Sequence, residues 1–330
     1  MTIRHVYDVP LRPILGSTFQ PTGFPDLGPA TFDRIASDGQ TTSALLVESV
    51  QSMANRLEAT AWDSPTAAPA TAVSGLPYVE VQRAKTGEFL TSSRLEAHRL
   101  FSAFIRDSQW DGHSVDHLLV ERLGVRPDTP VDHRAMARAI MALDPFSLLH
   151  GVFFAGQTTG RKGRANWPTQ PRFARAISGV IEAHDVRRAV SGGRKSDLVH
   201  HRDEKEGDNI GGSAEGYGSV PFHRTEWTAG TITASFVVDV DLIRSYGLPA
   251  PAAELLETLA LWEVRAFLSG GLRLRTACDL DVAGDIHCRK GQPLPEQSEL
   301  DARLRAAIDA SADVLGHGKA ISVQWEATVK

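Results

Sequence analysis

The sequence predicts an α+β fold, and three observations carry that expectation. Apolar residues recur at helical spacing over Thr42–Ala59 and Ala252–Leu268, and β-branched alternation marks Thr231–Val240. Three consecutive helical stretches, Ser93–Arg106, Ser114–Leu123 and Asp132–Leu143, lie between strand-like segments. With 330 residues the chain has room for one elaborated domain or two modest ones. A composition of 42% hydrophobic and 23% charged residues excludes a disordered or fibrous chain.

Taken in order, Phe19–Gly28 reads FQPTGFPDLG, a rigid loop shaped by prolines and glycines. The Thr42–Ala59 helix follows, with Leu46, Val50, Met53 and Leu57 as its apolar stripe and Gln51, Ser52, Asn55 and Arg56 on its polar face. The Ala, Pro, Thr and Ser of Trp62–Pro77 describe a surface connection, and Tyr78–Leu90 a hairpin turning near Lys85–Gly87. The three helices then read as an insertion, making 62–146 mainly helical. Strands are expected over Ser147–Ala155 and Arg175–Ala183. Ser191–Gly230 shows little periodicity among eight glycines, the mark of a functional or disordered loop. Thr231–Val240 is a strand, and the Ala252–Leu268 helix ends at a Gly270 or Gly271 cap. Leu272–Leu280, a Glu296–Leu315 helix and an Ala320–Ala327 strand close the chain.

The net charge of −5 has the wrong sign for a generic nucleic-acid coat, but it conceals a segregation. Thr158–Arg202 holds ten basic residues against three acidic ones, and the remainder 25 against 37. A solvated basic face and a ligand-binding face both fit that stretch. No run reaches the roughly 18 apolar residues of a membrane span, and the first thirteen residues lack a signal-peptide core. The expected location is the cytoplasm, with no membrane partner. Cys278 and Cys288 fit a reducing compartment and exclude a disulfide framework. With His287 they could ligate a metal, but buried strand cysteines are the preferred reading, and neither a metal nor a cofactor is expected.

No Walker loop, H-E-x-x-H, G-x-S-x-G or strand-borne G-x-G-x-x-G is present. The basic loops say more. Arg161, Lys162 and Arg164 stand among Gly156, Gly160 and Gly163, and Arg194 and Lys195 follow Gly192 and Gly193. Glycine lets backbone N–H groups approach phosphate oxygens closely. Gly270, Gly271, Arg273 and Arg275 repeat that chemistry, with alternation placing both arginines on one strand face and Leu272 and Leu274 on the other. The competing reading pairs these arginines with the acidic body. Phe24, Phe222 and Trp227 are candidates to wedge against a displaced base, although core packing is the commoner role for each.

The runs GSTFQPTGFPDLG, LLVESVQSMANRLE, HGVFFAG and GGLRLRTACDL resemble the backbone subunit of the subtype I-U (also written I-G) CRISPR effector complex, a RAMP-superfamily protein of the Cas-seven type. The resemblance spans nearly the whole chain. It implies an RRM-like (ferredoxin-like) palm with an antiparallel sheet, a large helical insertion and a projecting loop or hairpin thumb, here best placed at 191–230. It also implies a non-catalytic scaffold that polymerises as a helical filament along CRISPR RNA, presents the guide for pairing with target DNA, and meets copies of itself and other subunits of the complex in antiviral defence. Gln20, Thr22 and Phe24 in the loop, Gln51, Ser52, Asn55 and Arg56 on the helix, and Gly270 and Gly271 with Arg273 and Arg275 are then the matching RNA-binding positions. Such a scaffold grips phosphate and 2′-OH rather than base edges. The alternative is a metal-dependent ribonuclease cutting target RNA, in which Asp26 of the same loop is the catalytic acid.

Overall fold

A computed structural model describes residues 3–24, 27–35, 38–156, 164–197, 218–316 and 318–326. The fold is mixed α/β, with an antiparallel sheet and several helices. In chain order, the main sheet, its helices and a hairpin ribbon comprise β1 (Arg4–Pro13), β2 (Thr31–Ile35), β3 (Thr41–Glu48), α1 (Val50–Ala59), β4 (Ile177–His184), β5 (Arg187–Asp197), β6 (Gly218–Thr228), β7 (Thr231–Asp239), α2 (Ala250–Ser269), β8 (Leu272–Arg275), β9 (Cys278–Val282) and β10 (His287–Lys290). The sheet has eight strands ordered β8-β9-β1-β7-β4-β3-β2, with β10 also on β1. β5 and β6 form a separate two-stranded ribbon.

Period-2 burial explains the central strands. Along β1, His5, Tyr7, Val9 and Leu11 face inward, and along β7, Ile232, Ala234, Phe236 and Val238 do the same. In sequence β1 carries no clean strand signal, because Pro10 interrupts its alternation. That proline falls where the neighbour of β1 changes from β10 to β9, so its missing N–H costs little. α1 and α2 cover the inner face. Gly179 on β4 lets α1 approach, since a Cβ there would lie 2.7 Å from the Phe236 ring and 2.8 Å from Met53.

Several expectations need correction. The helix predicted over Thr42–Ala59 is a strand up to Glu48, because the β-branched Thr41, Thr42 and Val47 favour extension, and Ala44, Leu45 and Val47 are buried once the strand pairs with β4. The helix starts only where the Ser49 side chain accepts from the Ser52 N–H. Leu46 therefore lies on the strand and Val50 is 38% exposed, while Met53 and Leu57 are buried as expected. Ser93–Arg106 contains only a 3₁₀ turn at Arg99–Phe101 and one helical turn at Ala103–Arg106. Ser147–Ala155 opens as a helical turn, Phe146–Leu149, before a two-residue strand at Val152–Phe153. The stretch expected to lack structure forms instead the hairpin arms β5 and β6, eleven residues each, with 198–217 outside the described residues. Leu272–Leu280 is two strands around Ala277, whose φ of 56° makes the reversal.

Segment 62–146 contains strands as well as helices. Tyr78–Arg83 and Phe89–Ser92 form the expected hairpin and join Ala320–Trp325, which runs parallel to Tyr78–Arg83, in a second sheet. The helices Val115–Arg122 and His133–Leu143 match their expected positions. A buried ionic network fastens this segment to the main sheet's helices. Arg99 forks onto Glu58 of α1 at 2.6 and 2.7 Å and donates to the Gly151 carbonyl. His150 meets Glu263 of α2 at 2.9 Å, and Arg94 lies 3.5 Å from Asp144 and over the Phe146 ring. Burial raises the carboxyl pKa of Glu58, Asp144 and, strongly, Glu263, and pushes His150 down to about 4. Among the described residues no helix is long and apolar enough to cross a membrane.

Candidate nucleic-acid interface

The chain between β1 and β2 is strapped across one end of the sheet. Phe19, 1% exposed, exchanges two backbone hydrogen bonds of 2.9 Å with Trp227 near the base of the β5–β6 hairpin. The next N–H, of Gln20, donates at 2.7 Å to the Ala277 carbonyl in the β8–β9 turn. A buried aromatic and a backbone clamp on each side therefore hold Gln20–Thr22 between hairpin and turn.

Two hollows flank the hairpin base. One, of about 300 Å³, is lined by Gln20, Pro21, Thr22, Gly23, Gly28 and Pro29 against Thr225 and Trp227. The indole Nε1 of Trp227 is buried without a hydrogen-bond partner among the described residues. The other, of about 390 Å³, brings Arg273 and Arg275 to Thr18, Glu226, Ala277 and Asp279. The LRLR alternation is as expected, with Leu272 and Leu274 buried, Arg273 exposed and Arg275 half-buried.

Arg56 and Arg275 converge on one carboxylate. Glu48, 1% exposed at the end of β3, accepts from Arg275 Nη2 and lies 3.2 Å from Arg56 Nε. Arg56 also donates to the Leu274 carbonyl and Arg275 to the Gln20 carbonyl. The expectation that both arginines are free for a ligand is corrected to this extent: each is half spent on an internal acid. Within the cluster two guanidiniums face one carboxylate, while Glu226 and Asp279 line the hollow beside Arg273 and Arg275. The cluster ties α1, β3, β8 and the Gln20 loop into one body.

The other expected residues divide. On α1, Gln51 and Asn55 are exposed and Ser52 half-buried. Gly270 caps α2, and at Gly271 an added Cβ would meet open space, so nothing among the described residues requires glycine there. Phe24 belongs to a two-residue ladder with Gly28. Arg164 lies elsewhere, forked onto Asp107 beside Asp116 and Trp167. Arg194 and Lys195 sit on the hairpin arm opposite Pro221 and Val220. Arg161, Lys162 and Asp26 lie outside the described residues. Phe222 is 54% exposed against Gly193, whereas Trp227 packs partly on the core. Thr18, Thr225 and Glu226 went unnoticed in the sequence because nothing local distinguishes them. Cys278 is buried and Cys288 half-buried, both free.

The family model described as CRISPR-associated protein GSU0053 matches residues 6–188. A solved chain titled "CRISPR RNA-guided surveillance complex, pre-nicking" is 13% identical at a TM-score of 0.36, covering 98% of this chain and 96% of that one. No curated protein matches the chain.

Proposed function

The chain belongs to the family of CRISPR-associated protein GSU0053, a Cas7-type family, and from that premise we propose that it is a non-catalytic backbone subunit that binds CRISPR RNA. In this reading copies of the chain polymerise along the guide in the cytoplasm, contact other subunits of the effector complex, and present the guide to target DNA in antiviral defence.

The observation that carries the reading is the meeting of the Gln20–Thr22 loop, Arg273 and the Arg56–Glu48–Arg275 cluster beside the hairpin base at Trp227. Cations and loop amides held on one rigid body suit a sugar-phosphate strand and leave base edges free for pairing. Gln51, Ser52 and Asn55 of α1 extend that surface, and Gly270 and Gly271 allow close backbone approach. Arg161, Lys162, Arg194 and Lys195 are taken as further phosphate contacts in this reading, whereas Arg164 is spent on Asp107.

Two features support the RRM-like palm. Within the larger sheet, β1, β4, β7 and β9 lie in the order β9-β1-β7-β4, with α1 between β1 and β4 in sequence and α2 between β7 and β9. That is the strand arrangement of a split β-α-β fold. The β5–β6 hairpin, placed between β4 and β7, is the thumb, and 62–146 is an insertion within a single domain of 330 residues.

Co-expression with a CRISPR array transcript tests the reading. The expected product is an elongated particle whose absorbance ratio reports bound RNA; a nucleic-acid-free monomer that stays monomeric when guide is added overturns it.

A further inference from the structure

We propose that the cleft where the inserted segment meets the start of β4 is a second nucleic-acid subsite, taking one nucleotide of a single strand other than the guide. The cleft has a volume of about 670 Å³ and is lined by His98, Arg99, His150, Phe153, Arg172 and Arg175. A hollow of that size accepts a nucleotide-sized ligand.

Its wall is a short ladder in which Val152 pairs with Phe173 and Phe153 with Arg172. Val152 and Phe173 turn inward at 5% and 8% exposure, and the opposite face presents Phe153, 50% exposed, directly across from an exposed Arg172. An aromatic face beside a guanidinium offers stacking for a base and charge for its phosphate, without sequence preference.

The floor is charged and incompletely satisfied. Arg99 is matched by Glu58, but Arg172 and Arg175 have no carboxylate partner among the described residues. Among the described residues Arg175 donates only to the His150 carbonyl, at 3.3 Å. His150 turns Nε2 to Glu263, and its Nδ1 is buried without a partner among the described residues. Arg99 is also held at a φ of 49°, a conformation rare for a side chain of its size. Burial and the neighbouring Arg99 disfavour the charged form of Arg175, a cost that an incoming phosphate would offset. An acidic peptide would use the guanidiniums but leave Phe153 uncovered, whereas a nucleotide uses both.

The cleft lies at the Ile177 end of β4, and the hairpin starts just beyond the His184 end. Eight residues of strand separate them by roughly 25 Å, so the subsite is distinct from the surface assigned to the guide and stands whether or not that assignment holds.

Fluorescence anisotropy with labelled oligo(dT), which has no complementarity to a chosen guide, tests the proposal on purified full-length chain with and without bound guide. Phe153→Ala and Arg172→Glu alter exposed residues and leave the fold intact, as circular dichroism checks. The expected result is salt-sensitive oligo(dT) binding by guide-loaded particles, weakened about tenfold by either variant, with guide content unchanged. Wild-type affinity in both variants overturns the proposal. Loss of guide from the variants also overturns it, by merging the cleft with the guide surface, and so does displacement of oligo(dT) by poly-glutamate at equal charge, which assigns the cleft to acidic peptide.

Discussion

Two arginine clusters in this molecule look alike in sequence and differ in stoichiometry. In the buried network Glu58, Asp144 and Glu263 face Arg99, Arg94 and His150, and every member is nearly inaccessible. At the hairpin base Arg56 and Arg275 share the single acid Glu48, and both remain 23–28% exposed at the side chain. A buried charge must be matched inside the protein; a partly wet one can leave its surplus for a ligand. Counting acids per arginine, and asking which are dry, separates fastening from binding better than charge density along the chain.

The largest effect expected from that contrast is on stability. Glu58→Ala strands Arg99 in the dry network and should cost about 3–5 kcal/mol, read from the urea midpoint. A loss below about 1 kcal/mol would mean the network is wetter than its geometry.

Smaller, but pH-dependent, is the His150–Glu263 pair. Between the ordinary values of 4.5 and 6.5 the unfolded chain carries one proton on this pair, on the histidine. The folded pair also keeps one, because burial lowers His150 and raises Glu263. Above about pH 6.5 the unfolded histidine has released its proton, whereas burial favours the protonated form of Glu263 in the fold. The pair's contribution therefore falls as pH rises past that point, by at most about 1.4 kcal/mol per unit, until Glu263 ionises in the fold. Urea midpoints at about pH 6 and about pH 8.5 should differ more in wild type than in Glu263→Gln; equal differences contradict the shared proton.

At the hairpin base, Arg275→Ala should weaken guide binding and cost about 1–3 kcal/mol by releasing one bond to Glu48. Arg273→Ala, exposed and outside the cluster, should leave stability within about 0.5 kcal/mol. It should still lower the slope of log affinity against log salt by about 0.7, measured by filter binding. A large stability loss in Arg273→Ala with an unchanged slope would exchange the two roles.

The parts of the fold legible in the sequence are those with a single clean period. β7, α2, Val115–Arg122 and the LRLR alternation satisfy one periodicity each. Thr42–Ala59 does not, because a buried strand and an amphipathic helix abut at Ser49 and their apolar residues fall into one accidental stripe. β5 and β6 were illegible because a ribbon with two exposed faces needs no alternation, and Gly192 and Gly193 dilute what remains. In the site, Gln20, Thr22 and Arg273 were named from sequence, but the sharing of Glu48 joins residues 227 apart and has no local signature. Phe153 and Arg172 became neighbours only through a two-residue ladder too short for any pattern.

The central claim is that a strand of RNA lies across the surface between the hairpin base and the β8–β9 turn. Photo-crosslinking of a thiouridine-substituted guide, followed by mass spectrometry of the adducts, tests it most directly. The account predicts adducts on the Gln20–Thr22 loop, on Trp227 and on the peptide carrying Arg273; adducts confined to the helices Val115–Arg122 and His133–Leu143, with none at the hairpin base, would contradict it.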